Sequence, residues 1–202
     1  MKPRSKINTR SPQWYGWLPD LPDHRDLKYA KIAPRIAVLP RMVSLQPLCP
    51  PVEDQGALGS CTANALAGAL EYLEKKDGVP FADLSRMFVY YNERVIEGTV
   101  SQDSGAFLRD GIKTLARQGV CSGALWPYAT DAKTFTRKPP KPCYTAAKKH
   151  QITSYHRIDT VQEMRTCLAD GYPFVFGFTV YEAFESPQVA RTGVLGLSLI
   201  HI

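Results

Sequence analysis

Hydrophobic residues recur at helical spacing through the first three quarters of the chain. Leu66, Leu70 and Leu73 lie three or four residues apart and are interleaved with alanines, a pattern that predicts a helix over residues 61–76. The same reasoning predicts three more helices, over residues 85–95, 105–118 and 160–169. A glycine that can end a helix stands near the end of each, at Gly78, Gly98, Gly119 and Gly171.

The last quarter of the chain has a different pattern. An apolar run between Tyr172 and Val180 predicts a strand over residues 173–181. Because the helices come before the strands, the order predicts an α+β domain with segregated layers. Residues 1–40 are rich in proline and aromatic residues and show little periodicity, which predicts an irregular arm laid on the body. We expect this arm, anchored by Trp14, Tyr15 and Trp17, to brace the body rather than to inhibit it.

Composition narrows the possible classes of protein. With 202 residues, of which 44% are hydrophobic and 22% charged, the chain can bury a core and is not expected to be disordered. The net charge is +6, but the basic residues are dispersed, and the one local run, from Arg137 to Lys149, is interrupted by prolines. No nucleic-acid partner is therefore expected. The longest apolar run is too short to span a bilayer, so no membrane partner is expected either.

The segment Gln55-Gly-Ala-Leu-Gly-Ser-Cys61 places a cysteine at the predicted start of a helix. The positive end of a helix dipole favours a thiolate, so we expect a lowered pKa for the Cys61 thiol. Gln55 can donate an amide N–H to the oxygen of a tetrahedral intermediate, and Gly59 lets the backbone approach a bound peptide. The alternative is a buried structural cysteine, which is the commoner role for a cysteine in an arbitrary chain.

Residues 51–63 resemble the active-site segment of the papain family of cysteine peptidases, including the spacing from Gln55 to Cys61. The resemblance covers residues 40–195, and four further segments carry it: Leu84–Tyr91, Asp103–Gly105, Trp126–Tyr128 and Tyr172–Val180. It implies a papain-like fold, in which a helical half carries the cysteine at a helix N-terminus and faces an antiparallel half-barrel. It also implies that Ser104 and Gly105, like Gly59, bind substrate.

Two residues depart from the usual family pattern, which is Cys-Gly-Ser/Ala-Cys followed by Trp or Tyr. Leu58 stands at the first cysteine of that pattern and Thr62 stands at the aromatic residue. The first disulfide of the secreted family members is therefore impossible, and Leu58 is expected to pack as an apolar plug. Thr62 removes an aromatic shield beside the nucleophile.

A thiol peptidase also needs a histidine as general acid and base. Of the four histidines, His24, His150 and His156 are expected to be exposed or bonded elsewhere, and only His201 lies in the window 130 to 150 residues after Cys61. His201 lacks the strand and the later Asn-Ser-Trp-Gly segment that the resemblance implies. We therefore expect the catalytic histidine and asparagine to lie beyond residue 202, and this fragment to be inactive.

The resemblance gives an expected organisation of the chain. The arm is expected to span residues 1–40 and an incomplete peptidase domain residues 41–196. Residues 197–202 read like the translation of a transposon sequencing adapter, so we expect them to be a non-native tail.

The cysteines bear on compartment and cofactors. Five of them stand at widely spaced positions, none in a CxxC pair, so neither a disulfide framework nor a metal site is predicted, and no cofactor is expected. The basic N-terminus has no apolar segment of the kind that a signal peptide carries, which predicts a cytoplasmic protein.

These features together predict an enzyme that hydrolyses peptide or protein substrates through the Cys61 thiolate and an acyl-enzyme. Two alternatives remain open at this point. One is a non-catalytic papain-like module that binds peptides or a partner protein. The other is acyl transfer to an amine, which uses the same cysteine and histidine chemistry.

Overall fold

The computed structural model describes residues 16–36, 38–180, 184 and 186–194. The regular elements are, in chain order, strand β1 (Trp17–Leu18), two 3-10 turns (Tyr29–Lys31 and Gln46–Leu48), helices α1 (Cys61–Lys76) and α2 (Arg86–Glu97), strand β2 (Ala106–Phe107), and helices α3 (Leu108–Arg117), α4 (Ala132–Phe135), α5 (Lys141–Ala147), α6 (Val161–Ala169) and α7 (Pro187–Thr192). Residues 1–15, with Trp14 and Tyr15, and residues 195–202, with His201, lie outside the described residues.

Helices α1, α2 and α3 pack on one another and enclose the core. The apolar face predicted for α1 is buried, and α2 contributes Phe88, Val89 and Tyr90, each with an exposed fraction of 0%. Ser85 caps the N-terminus of α2 by accepting a hydrogen bond from the Phe88 N–H, and Gly98 ends the helix in the left-handed conformation at φ 73°. The four predicted helices are confirmed to within three residues at each end, since their signals are local.

The strand predicted over residues 173–181 is wrong for the part of it that the structure describes. Residues 172–180 form no regular strand there, because a strand exists only where a neighbour accepts its backbone hydrogen bonds. The strands that do form are β1 and β2, which pair in parallel with Trp17 opposite Ala106. Two residues are too few to show periodicity, so the sequence pattern could not reveal this pair.

The arm is bound to the helical body along its described part. Arg109 at the start of α3 donates to both carboxylate oxygens of Asp26, at 3.3 and 2.8 Å, and to the Leu21 carbonyl at 2.7 Å. The Tyr29 N–H donates to the Arg157 carbonyl at 2.9 Å. The indole of Trp17 packs directly on Gly177, where an added Cβ would fall 2.0 Å from the ring. These contacts confirm Trp17 as an anchor of the arm.

Among the described residues, no helix combines the length and the apolar character needed to cross a membrane.

One buried carboxyl group in α1 predicts a pH-dependent stability. Glu71 lines a cavity of about 220 Å³ beside Arg86, and its Oε1 accepts a hydrogen bond from the Leu84 N–H at 2.8 Å. Burial raises the pKa of Glu71 from 4.5 to about 7, against the lowering effect of that hydrogen bond. Between these two values the unfolded chain has lost the proton that the folded chain still holds. The free energy of unfolding therefore falls as the pH rises from about 4.5 to about 7.

Glu71→Gln is expected to remove this loss, because the amide oxygen can still accept from Leu84 and the side chain cannot ionise. Urea unfolding should show the variant to be more stable than the parent by about 1 to 2 kcal/mol at pH 8, with a much smaller difference at pH 4.5. An equal gain for Glu71→Gln at both pH values would contradict the assignment.

Candidate active site

The loop that leads into α1 is held by side chains from elsewhere in the helical half. Cys61 is the first residue of α1, and the residue before it, Ser60, is fully buried. The hydroxyls of Ser60 and Tyr128 are hydrogen-bonded to each other, and the Asn64 amide donates to the Ser60 carbonyl at 2.9 Å. The position of Cys61 at the helix N-terminus therefore depends on a hydrogen-bonded turn and not on the helix alone.

Gln55 is fixed at the beginning of the same loop. Its side-chain Nε2 donates to the Leu58 carbonyl at 3.0 Å, and its backbone carbonyl accepts from the Tyr128 hydroxyl at 2.9 Å. A side-chain amide has two N–H donors, so one remains for a ligand oxygen. Leu58 is only 2% exposed and belongs to the core, as expected for an apolar plug in place of a disulfide.

The Cys61 thiol is half-buried, and this changes its acidity. Burial raises the pKa of the thiol, while the backbone N–H groups of Gly16, Thr62 and Cys61 lower it and the Glu93 carboxyl raises it further. The net effect is a raised pKa of the Cys61 thiol. The lowered pKa predicted from the helix dipole is therefore wrong for this arrangement, because desolvation outweighs the nearby N–H donors.

Three glycine backbones meet beside Cys61. A Cβ added to Gly16 would fall 1.7 Å from the Gly59 carbonyl oxygen, and one added to Gly105 would fall 2.0 Å from the Gly16 carbonyl oxygen. Gly105 also has φ +70°, which favours glycine in any case. The Ala106 N–H donates to the Gly16 carbonyl at 2.7 Å. Gly59 and Gly105 thus allow a close backbone approach, and the chain's own arm makes that approach.

The arm therefore does more than brace the body. Gly16 lies against the nucleophile loop and its backbone N–H has a lowering effect on the pKa of Cys61, while Trp17 and Leu18 pair with β2. A peptide that paired with this wall would need the same space. The binding of the arm to this wall could not be predicted from the sequence, since the contact joins segments far apart in the chain.

Ser104 supports the wall from within. Its hydroxyl bonds to Thr99 Oγ1 at 2.9 Å and to the Gly105 carbonyl at 3.0 Å. Asp103, which the sequence analysis did not single out as a site residue, accepts from the Gly59 N–H at 3.0 and 3.1 Å and from the Tyr90 hydroxyl. This carboxylate ties the nucleophile loop to the Gly105 wall without a covalent bond. Its place next to Ser104 and Gly105 was the only sequence signal for it.

The described histidines are not bonded to Cys61. His150 Nδ1 lies 2.7 Å from Glu74 Oε1. Glu74 is thirteen residues along α1 from Cys61, which corresponds to about 20 Å at 1.5 Å per residue. His24 is exposed on the arm. Within the described part of the chain, no group of three or more His, Cys, Asp or Glu side chains is arranged to hold a metal ion.

Comparison with known proteins gives the following findings. No family model matches the chain. A peptidase C1-like protein of Acanthamoeba polyphaga mimivirus is 36% identical over an alignment 210 residues long, which covers 91% of this chain and 67% of that protein. The crystal structure of xylellain, a cysteine protease from Xylella fastidiosa, matches with a TM-score of 0.75 and 42% identity, covering 87% of this chain and 70% of xylellain.

The fold is also similar to that of procathepsin L 3 from the larval midgut of Tenebrio molitor, with a TM-score of 0.55, 14% identity and coverage of 80% of this chain and 47% of that one. The chain belongs to the papain-like family of cysteine peptidases. The predicted α+β class and the papain-like fold, with a helical half and an incomplete half-barrel, are thereby confirmed.

Proposed function

We propose that this chain is the cysteine peptidase that its family membership indicates and that Cys61 is the nucleophile acting on peptide or protein substrates. The supporting observation is the junction of Cys61, Gly59 and Gly105, where an extended backbone already lies along the wall and pairs with β2. A substrate would bind there by adding a strand to the same wall. The names of the mimivirus relative and of xylellain agree with this activity.

The proposed reaction follows from these positions. The Cys61 thiolate attacks the scissile carbonyl carbon, and the Cys61 N–H with the free Gln55 N–H stabilises the resulting oxyanion. The carbon–nitrogen bond then breaks, the amine leaves with a proton from a general acid, and water hydrolyses the thioester. No described histidine contacts Cys61 to supply that proton. We propose that residues 1–202 alone show no turnover and that the complete gene product is the active species.

The direct test of the nucleophile is labelling of the complete gene product with an electrophilic, peptide-like thiol reagent. Modification at Cys61 ahead of Cys49, Cys121, Cys143 and Cys167 supports the proposal. Cys49 is the most informative of these four cysteines for comparison, because it is exposed and therefore more accessible to the reagent than Cys61. Preferential labelling of Cys49 would contradict an activated sulfur at Cys61.

The arm must move before a substrate can bind, and Gly16→Ala tests this. The new Cβ would collide with the backbone of Gly59, which cannot give way, so the arm is expected to leave the cleft. Since burial is the main cause of the raised pKa of Cys61, its release should lower that pKa. The rate of Cys61 alkylation by iodoacetamide at pH 7 is therefore expected to rise severalfold.

Gly68→Ala is the matched control for this experiment. A Cβ at that position, inside α1, would meet only Pro50 at 3.8 Å, an ordinary contact, so the alkylation rate should not change. An unchanged rate in Gly16→Ala would show that the arm does not shield the thiol.

A peptide-binding module without catalysis is the second candidate, favoured by the burial of the thiol and by the filled cleft. Steady-state assays of the complete gene product carrying Gly16→Ala, with a fluorogenic peptide, separate the peptidase from the binding module. Turnover supports the peptidase, whereas saturable binding of the peptide without turnover in the complete gene product supports the module.

We also propose a cytoplasmic location, which is supported by five cysteines that remain free thiols. Fractionation of the source cells with an antibody to the protein tests this, and recovery outside the cytoplasm would contradict it.

A further inference from the structure

The residue after the nucleophile is a buried threonine. Thr62 is 2% exposed, at the position where the usual family pattern has Trp or Tyr. A buried hydroxyl needs a hydrogen-bond partner, because an unpaired one costs free energy. Thr62 Oγ1 donates to Glu93 Oε1 on α2 at 2.8 Å.

Glu93 forms no ion pair with any residue that the structure describes. Its exposed fraction is 0%, and its Oε2 has no hydrogen-bond partner among the described residues. Gly111 of α3 lies directly on this oxygen, since a Cβ there would fall 2.6 Å from Oε2. The charged groups with the largest effects on its pKa are Glu97 and Arg94 on its own helix and Asp110 on α3, and two of the three are negative.

Burial raises the pKa of Glu93 well above its ordinary value, Glu97 and Asp110 raise it further, and the bond from Thr62 and the charge of Arg94 lower it. The direction of this shift favours the neutral form of the carboxyl group. An ionised Glu93 would place a negative charge near Cys61, where it would oppose the thiolate. A neutral carboxyl group can bind the Thr62 hydroxyl without that penalty.

We propose that Glu93 is a positioning residue whose carboxyl group binds the Thr62 hydroxyl and thereby fixes the first turn of α1 behind Cys61. This inference rests on the proposed function, since it concerns the same nucleophile. Thr62 matters because it directly follows Cys61 in the first turn of α1, and the Cys61 N–H is the proposed oxyanion donor. A rotation of this turn would displace the thiol and this N–H together.

The first test uses Thr62→Val, which keeps the side-chain shape and removes the hydroxyl, with Thr62→Ser as the matched control that keeps it. In the complete gene product, the valine variant is expected to lose at least about tenfold in kcat with little change in KM, because small misplacements of reacting groups are costly. The serine variant should stay close to the parent. An unchanged kcat in Thr62→Val would overturn the inference.

A second variant separates positioning from mere stability. Thr62→Val leaves Glu93 without its partner and is expected to lower the free energy of unfolding. Combining it with Glu93→Met makes both positions apolar, and such paired replacement can be nearly neutral for stability. The double variant should therefore regain stability without regaining kcat. Recovery of kcat together with stability would show a purely structural role and would overturn the inference.

The third readout is the pH dependence of Cys61 alkylation by iodoacetamide. In Glu93→Gln the amide oxygen can still accept from Thr62, but no negative charge can form at high pH. The midpoint of the alkylation profile is therefore expected to lie at lower pH than in the parent. A midpoint that is unchanged or higher would contradict the neutral-carboxyl arrangement.

These tests can fail independently of the proposed function. If Cys61→Ala retains full activity, the nucleophile assignment fails. If Cys61→Ala is inactive while Thr62→Val matches the parent, the peptidase assignment stands and only the role of Glu93 fails.

Discussion

Cys61→Ala is expected to abolish peptide hydrolysis in the complete gene product, with a loss in kcat of about 10⁵-fold or more. Alanine has no sulfur to form the acyl-enzyme, and no other group at the start of α1 can replace it, since Ser60 is buried and bonded to Tyr128. The measurement is steady-state hydrolysis of a fluorogenic peptide. Binding of the peptide should survive, because the glycine wall is unchanged.

Cys49→Ala provides the control for this experiment. Cys49 is exposed and lies outside α1, so its removal should leave kcat and KM unchanged. Activity retained in Cys61→Ala, or lost in Cys49→Ala, would place the nucleophile elsewhere.

Gln55→Ala is expected to lower kcat by roughly a hundredfold, with a modest change in KM. One oxyanion donor contributes about 3 kcal/mol to the transition state and little to the ground state. The substitution also removes the bond to the Leu58 carbonyl, which is a structural contact. A second measurement is therefore needed to separate the chemical effect from a distorted loop.

Alkylation by iodoacetamide provides that measurement. Displacement of iodide by the thiolate develops no oxyanion, so Gln55→Ala should alkylate Cys61 at nearly the parental rate while losing hydrolysis. Equal losses in both reactions would indicate that Gln55 only holds the loop. An unchanged kcat would remove Gln55 from the mechanism.

Cys61, Gln55, Gly59, Ser104 and Gly105 were all proposed from sequence. The structure places the first three on the nucleophile loop or directly after it and the last two on the wall that packs against Gly59. Ser104 bonds within the wall, and the two glycines lie under the arm. Their catalytic and binding roles stay predictions that the variants above test.

The packing of the arm on the body could not be predicted from the sequence. Residues 16–18 have no periodicity, and their partner, β2, is only two residues long. What holds them is a backbone fit of Gly16 between Gly59 and Gly105, which no side-chain pattern encodes. Likewise, Trp17 was predicted as an anchor from its size, whereas its partner Gly177 depends on the fold.

The sequence by itself determined the features that arise from near neighbours. The period of the apolar residues set the bounds of α1, glycines set the helix ends, and the step from Gln55 to Cys61 indicated the family. Tertiary structure decided what depends on distant partners: the Thr62–Glu93 bond across 31 residues, the Tyr128–Gln55 bond across 73, and the burial that raises the pKa of Cys61. The physical reason is that helix signals are local, whereas desolvation and hydrogen bonding of a buried group depend on every segment that the fold places around it.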